Sequence, residues 1–291
     1  MENQAPGNED PADTEETDLA FPNDLFQEPT SFRPASPEPT IIEHTSSDGT
    51  PLKIRLVGAH PLWGHVLYPA SIVLSRYIHE HSKQLFPDNV CTHVLELGAG
   101  GGLPGLTCVL AGASLVVTTD FPDPDLIRNL EWNADQNLPA SKRDRLIVKG
   151  LKWGAKLAEE ILQQDRTISS DVGASCPAAA ASSTSPGFDL ILLSDLVFNH
   201  SEHQSLLTTC ELSLNSASPG TDRPTPSLLV FYSHHRPWCV AADEQFFVIA
   251  RQRGWICTRI IEDKNAGLAF PADTGDADIR GTVHGWILTR Q

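Results

Sequence analysis

The chain has 291 residues, 40% of them hydrophobic and 20% charged, the composition of a globular protein with a sizeable core. Lys and Arg number 21 against 37 Asp and Glu, a formal charge of −16, so the chain lacks the basic footprint of a nucleic-acid or anionic-membrane binder. The excess is uneven: residues 1–50 hold twelve acids and one base, Arg33, a net −11, which leaves −5 for the rest.

Residues 1–50 are also rich in proline and poor in apolar side chains, so they cannot bury enough surface to offset their chain entropy. They are expected to form a mostly disordered acidic leader, with the folded domain at 51–291. Leu19, Phe21, Leu25, Phe26 and Phe32 form one short apolar cluster within it, suited to docking. Six cysteines lie far apart with no C-x-x-C pair and read as reduced, mostly buried thiols of an intracellular protein. The sequence opens acidic rather than with a basic-then-apolar leader, and no stretch approaches the roughly 18 apolar residues of a membrane span. Cytosol is the expected compartment.

Along the domain, helical patterns at 68–82, 104–112, 124–136, 154–164, 201–214 and 239–253 alternate with apolar, β-branched runs. These runs fall at 93–97, 115–119, 145–149, 189–193, 228–232, 256–261 and 283–289. Such alternation predicts a parallel sheet covered by helices on both faces. Residues 262–281 are Gly- and Asp-rich with little helical periodicity, so the last strand is expected to return antiparallel, as in a hairpin. Two low-complexity stretches, 166–187 and 216–227, read as loop insertions.

The strongest local signal is VLELGAGGGLPGL at 94–106, a strand running into Gly98, Gly100, Gly101 and Gly102 before a helix. Glycines there allow positive φ and close approach of backbone to a ligand, and a helix start offers free N–H groups. A dinucleotide G-x-G-x-x-G frame fits only with displacement: starting at Gly100 it encloses Pro104, and starting at Gly98 it puts Leu103 in the third glycine position. The pattern acid-x-Gly-x-Gly-x-Gly, from Glu96 through Gly98 and Gly100 to Gly102, fits without displacement and is the first motif of S-adenosylmethionine-dependent methyltransferases. Asp120, at the end of the next strand, can accept hydrogen bonds from ribose hydroxyls in either class; its alternative role is a helix N-cap.

The fourth strand runs into Ser194, Asp195, Phe198, Asn199 and His200, at the end of a parallel strand where α/β folds build their sites. Asp195 there can hold an amine by its N–H groups or simply cap the following helix. The segment 58–70 brings Trp63, Tyr68 and two histidines before the first helix, and Trp153 follows the third strand; each aromatic suits a cofactor or the core. The histidine pairs 60/65, 200/203 and 234/235 match no zinc motif, so no metal is expected. No G-x-S-x-G occurs, and no [DNS]-P-P-[YFW] motif of base methyltransferases follows the fourth strand.

HPLWGHVLYPA, LELGAGGGLPGL, VVTTDFPDPDLIRNL, LLSDLVFNHSEH, HRPW and RGTVHGWILTR, in this order, resemble the family 16 seven-β-strand methyltransferases over roughly residues 20–290. The resemblance implies a Class I S-adenosylmethionine-dependent methyltransferase fold, a Rossmann-like seven-stranded sheet with the last strand antiparallel. It implies cofactor contacts from Trp63, Gly98, Ala99, Gly100, Asp120, Trp153 and Ser194. Asp195 and Phe198 would stand beside the acceptor amine; many relatives carry Tyr where this chain has Phe198, so no hydroxyl role carries over. The similarity is strongest to fungal members, and a monomer is expected. Its substrate would be the N-terminal α-amine and adjacent lysine of translation elongation factor 1-alpha. A small-molecule enzyme acting on nicotinamide-like pyridines is the alternative.

Overall fold

A computed structural model describes residues 37–58, 61, 64–155, 187–217 and 223–290. The chain divides into two units, Met1–Ser36 and Pro37–Gln291, and the first lies outside the described residues. So do nearly all of the expected helix 154–164 and loop 166–187, together with the middle of the 216–227 loop.

The second unit opens with strands β1 (Thr40–Thr45) and β2 (Pro51–Leu56), an antiparallel pair. β1 falls inside the stretch expected to be disordered, which corrects that boundary. Its Thr-Ile-Ile run is β-branched, and a turn held by Ser46 and Asp48 closes it onto β2. Helices α1 (Pro69–Glu80) and α2 (Ser82–Leu85) follow. Then come β3 (His93–Leu97), α3 (Leu103–Ala111), β4 (Leu115–Asp120), α4 (Pro124–Asn137), α5 (Ala140–Arg143) and β5 (Leu146–Gly150). After the undescribed stretch come β6 (Leu190–Ser194), α6 (His203–Ser213), β7 (Ser227–Ser233) and α7 (Val240–Gln252). The unit ends with β8 (Trp255–Asp263), α8 (Ala277–Gly281) and β9 (Val283–Arg290).

All seven expected strands form one sheet in the order β5-β4-β3-β6-β7-β9-β8. The first five are mutually parallel, and β9 runs antiparallel to both neighbours. The last strand is therefore antiparallel as expected, and it inserts between β7 and β8. Side chains alternate across the sheet. On β6, Leu190 and Leu192 join the core layer with α1, α3 and the hairpin, while Ile191 and Leu193 join the layer under α6 and α7. Every residue of β7 is buried. A strand covered on both faces reads as an unbroken apolar run, and each large side chain contributes about 1.5–3 kcal/mol.

An asparagine ladder on α4 fastens the hairpin to this layer. Asn129, Asn133 and Asn137 recur every four residues and so share one helix face. Asn137 accepts from the Lys53 N–H (2.7 Å) and donates to the Lys53 carbonyl (2.9 Å). Asn133 does the same at Arg55 (2.8 Å each way) and also donates to the Gly101 carbonyl at 3.0 Å. Asn129 donates to the Arg55 carbonyl at 2.8 Å. Side-chain amides thereby satisfy the outer edge of β2 as a neighbouring strand would. Asn133 is fully buried, so Asn133→Ala strands the Arg55 and Gly101 groups. It should lower stability by about 1–3 kcal/mol, a melting shift of several degrees, with a smaller loss for Asn137→Ala. Equal melting of Asn133→Ala and the parent chain would remove the ladder's role.

Candidate functional site

Strand order reverses its direction of travel between β3 and β6, and open α/β sheets bind ligands at the carboxyl ends around such a point. The chain leaves β3 there through Gly98–Gly102. Gly98, Gly100 and Gly102 have φ of 57°, 56° and 71°, left-handed values that disfavour any side chain. The turn is tied down on all sides. Ala99 N–H donates to the Thr119 carbonyl (3.0 Å), and its carbonyl accepts from Gly102 N–H (2.8 Å). Gly100 N–H donates to Asp120 Oδ2 and Phe121 N–H to Oδ1, both at 2.7 Å. Asp120 is thus a fixed carboxylate closing the turn from the next strand. The N-cap of α4 is Asp123, which accepts from Asp125 N–H, so Asp120 is not the cap.

A side chain on Gly98 would lie 2.6 Å from Leu196 and 3.1 Å from the Trp153 ring, whereas no described atom lies within 4 Å of the Cβ position of Gly100. One end of the turn is packed against residues that follow β5 and β6, and no described residue fills the space at its crest. Ser194 ends β6 beside the turn, and its buried Oγ has no partner among the described residues. Gly98, Ala99, Gly100, Asp120, Trp153 and Ser194 therefore gather at one edge of the sheet. Trp63 lies outside the described residues. This set fits an S-adenosylmethionine: a backbone cradle no Cβ obstructs, a fixed carboxylate for ribose hydroxyls, an indole, and an unpaired hydroxyl.

Glu96 lies under the turn, wholly buried. Thr118 Oγ1 donates to its Oε2 at 3.1 Å, and Oε1 has no partner among the described residues. Burial pushes its pKa up to about 8; hydrogen bonds from Thr118 and the Gly105 N–H oppose the rise, and the charge of Asp120 adds to it. The group is therefore neutral below about pH 8, which lets an acid sit beneath the glycine turn without an unpaired charge. The native state holds a proton that the unfolded chain releases near pH 4.5, so this group's contribution is complete below that value and is lost as pH rises to about 8. Glu96→Gln should remove that component: the parent chain should lose on the order of 2–4 kcal/mol more than the variant between pH 5 and 8.5 in melting experiments. Identical pH slopes would exclude a protonated Glu96.

The end of β6 continues directly into Asp195. Its φ of +58° is the only positive value for a non-glycine among the described residues, a left-handed conformation that costs a residue with a side chain about 1–3 kcal/mol. Asp195 N–H donates to the Phe231 carbonyl at 2.7 Å. Its Oδ1 accepts from Ser233 N–H at 3.3 Å, and its Oδ2 lies 2.7 Å from His235 Nε2. It caps no helix: neither the 3₁₀ turn at His200–Glu202 nor α6 has a side-chain cap. Around the His235 ring stand Tyr68 (5.6 Å), Phe270 (5.6 Å) and, at 6.3 Å, Phe198. Burial, then the charge of Asp195, drives the Tyr68 hydroxyl well above its usual range, so it stays protonated.

Buried Asp243, from α7, lies 2.6 Å from His200 Nε2 and 2.7 Å from His234 Nδ1. It joins the loop after β6 to the loop after β7. Sequence reading raised 234/235 only as a metal pair and missed both carboxylate partners; the usable signal was two histidines directly after a buried strand. No metal-binding group of three or more His, Cys, Asp or Glu occurs among the described residues. Cys108, Cys210, Cys239 and Cys257 are free, but Cys91 is disulfide-bonded, which corrects the expectation of thiols throughout; it sits half-buried in the loop before β3, not in the core. No described helix is long and apolar enough to cross a membrane.

The fold and edge site define a Class I methyltransferase. The family model described as lysine methyltransferase matches residues 46–173. A protein N-terminal and lysine N-methyltransferase EFM7 of Cryptococcus neoformans var. neoformans serotype D is 39% identical, covering 88% of this chain and 80% of its own. The efm7 protein of Schizosaccharomyces pombe is 37% identical over 91% of this chain and 94% of its own, and that of Eremothecium gossypii 36% over 96% and 98%. The chain belongs to this family of protein N-terminal and lysine N-methyltransferases. Solved chains of similar fold include P. horikoshii TYW2 in complex with MeSAdo, with TM-score 0.48, 15% identity and coverage of 87% and 72%.

Proposed function

We propose that the protein transfers a methyl group from S-adenosylmethionine to the N-terminal α-amine, and the adjacent lysine, of translation elongation factor 1-alpha in the cytoplasm, acting as a monomer. The observation that carries the reading is Asp195: a buried carboxylate in a strained left-handed conformation, one strand from the glycine turn. Relatives named for N-terminal and lysine methylation support a protein amine as acceptor. Both parts of the chain are acidic, −11 over residues 1–50 and −5 over the rest, which suits a cationic peptide end.

When bound, the cofactor supplies an activated methyl on a sulfonium. Gly98, Ala99 and Gly100 would offer it backbone, Asp120 would take the ribose hydroxyls, Trp153 would flank the adenine, and Ser194 would contact it from the end of β6. The acceptor arrives as an ammonium and must react as a free amine. A lysine with reference pKa near 10.4, or an α-amine near 7.7–8.0, loses its proton on entering an apolar site beside a positive charge. Asp195 accepts the amine N–H groups and so aims the nitrogen lone pair at the methyl, with the Phe198 ring walling the approach. This is catalysis by orientation and desolvation.

The test supplies labelled S-adenosylmethionine with elongation factor 1-alpha carrying a free or an acetylated N-terminus, and separately with nicotinamide. Label is expected on the free-ended protein, with the adjacent lysine as second site; label on nicotinamide alone would replace the protein reading. Asp195→Ala should lower transfer at least 100-fold while cofactor affinity stays within about threefold. Asp120→Ala should weaken cofactor binding about tenfold or more in calorimetry, as loss of hydrogen bonds to a charged group predicts. Normal turnover by Asp195→Ala, or unchanged affinity for Asp120→Ala, would remove the corresponding role.

A further inference from the structure

His235 has a set of contacts that core packing does not require. It follows β7 by two residues, so its ring stands over the same sheet edge as Asp195. Its Nε2 lies 2.7 Å from Asp195 Oδ2, and since a carboxylate only accepts, Nε2 carries the hydrogen and donates. The rest of the residue is held independently of Asp195. Arg280, almost fully buried on α8, donates from Nε to the His235 carbonyl at 3.2 Å and from Nη1 to the Asp273 carbonyl at 2.7 Å. Its Nη2 donates to the Phe270 carbonyl. Arg280 thus fixes both His235 and the loop whose Phe270 packs on the imidazole. Tyr68 covers a second side of the ring at 5.6 Å. The neighbouring His234 is anchored by Asp243. A ring so enclosed has one polar outlet that the structure shows, the Asp195 carboxylate.

We propose that His235 is the positioning residue of the acceptor site: it holds the Asp195 carboxylate in its left-handed geometry and, by its own charge, sets how strongly that carboxylate attracts a cationic acceptor. The proposal rests on the reading of Asp195 as the amine-orienting group. When the imidazole is neutral, the pair carries −1 and favours an ammonium arriving beside a sulfonium. When it is an imidazolium, the pair is neutral and that attraction is lost. The charged groups facing the ring are Asp195 at the end of β6, Asp243 on α7 and Arg280 on α8. Burial opposes protonation of His235 and Arg280 opposes it too, but the charge and hydrogen bond of Asp195, with Asp243, outweigh them and raise its pKa. The switch from neutral to −1 therefore falls at higher pH than for an ordinary histidine, and acceptor use should climb with pH through it.

Two variants separate positioning from simple structure. In His235→Gln the side-chain amide can replace the Nε2–H donor but cannot titrate; in His235→Ala the donor is lost. With elongation factor 1-alpha N-terminal peptide as acceptor and saturating S-adenosylmethionine, His235→Ala should lose about 10–100-fold in kcat, with cofactor affinity unchanged. His235→Gln should recover about tenfold of that loss at pH 9. The ratio of kcat/KM in His235→Gln to that of the parent chain should rise about tenfold as pH falls from 9 to 6, because only the parent loses the negative pair. A flat ratio, or a His235→Ala enzyme as fast as the parent, overturns the proposal. If the parent chain itself leaves the peptide unlabelled, the functional reading fails instead, and the pairing is then judged by NMR titration of the His235 ring. Its pKa should fall toward that of an ordinary histidine in Asp195→Asn, and an unchanged titration in that folded variant would overturn the coupling.

Discussion

The Gly100 N–H donated to Asp120 is the bond on which the site is hung. It joins the ends of two adjacent parallel strands across a turn whose three left-handed glycines have no side chains to hold it. Everything near the edge takes its place from that closure. Gly101 is tied through Asn133 to α4 and so to the hairpin, and Gly98 presses on Trp153 after β5 and Leu196 after β6. A five-residue turn thereby touches elements from most of the chain. Disturbing any one of them moves the same backbone.

Three buried carboxyls surround this closure, and each meets the cost of burial differently. Glu96 keeps its proton, because desolvation outweighs the hydrogen bonds that would favour its charge. Asp195 lies against a histidine and a backbone N–H. Asp243 sits between two histidines and joins the loops that follow β6 and β7. An uncompensated buried charge would cost several kcal/mol, and the three differ in the kind of partner rather than the number: imidazoles face Asp195 and Asp243, while only neutral donors face Glu96. The two acids with imidazole partners lie just after β6 and on α7. The acid beneath the donor turn has none, in keeping with a neutral support.

Legibility in the sequence followed how local each signal was. The β-branched runs gave all seven strands because each repeats an apolar pattern over five or more residues. The glycine turn was legible for the same reason: four glycines in five positions leave few other uses. The β1–β2 hairpin was missed because Thr40–Thr45 sits at the edge of an acidic, proline-rich stretch, and its β2 partner is held by side-chain amides 74–84 residues away. The choice between cap and site for Asp195 was open for a similar reason. A carboxylate after a strand looks the same in either role until its φ and its partner on the next strand are known. His235 and its neighbour were weighed only as a metal pair, which matched no zinc motif, since sequence shows their adjacency and not that they turn to different carboxylates.

By itself, then, the sequence determined the layered sheet, its antiparallel last strand, the glycine turn and the polar strand ends beside it. Each is encoded in contiguous residues through pattern period, glycine content or position after a strand. Only the tertiary structure decided that β9 inserts between β7 and β8, that α4 serves as the missing strand beside β2, and which histidine faces which acid. Those outcomes depend on distances between residues tens of positions apart. No local propensity carries that information; the packing of two buried faces and the need to pair every buried polar group do.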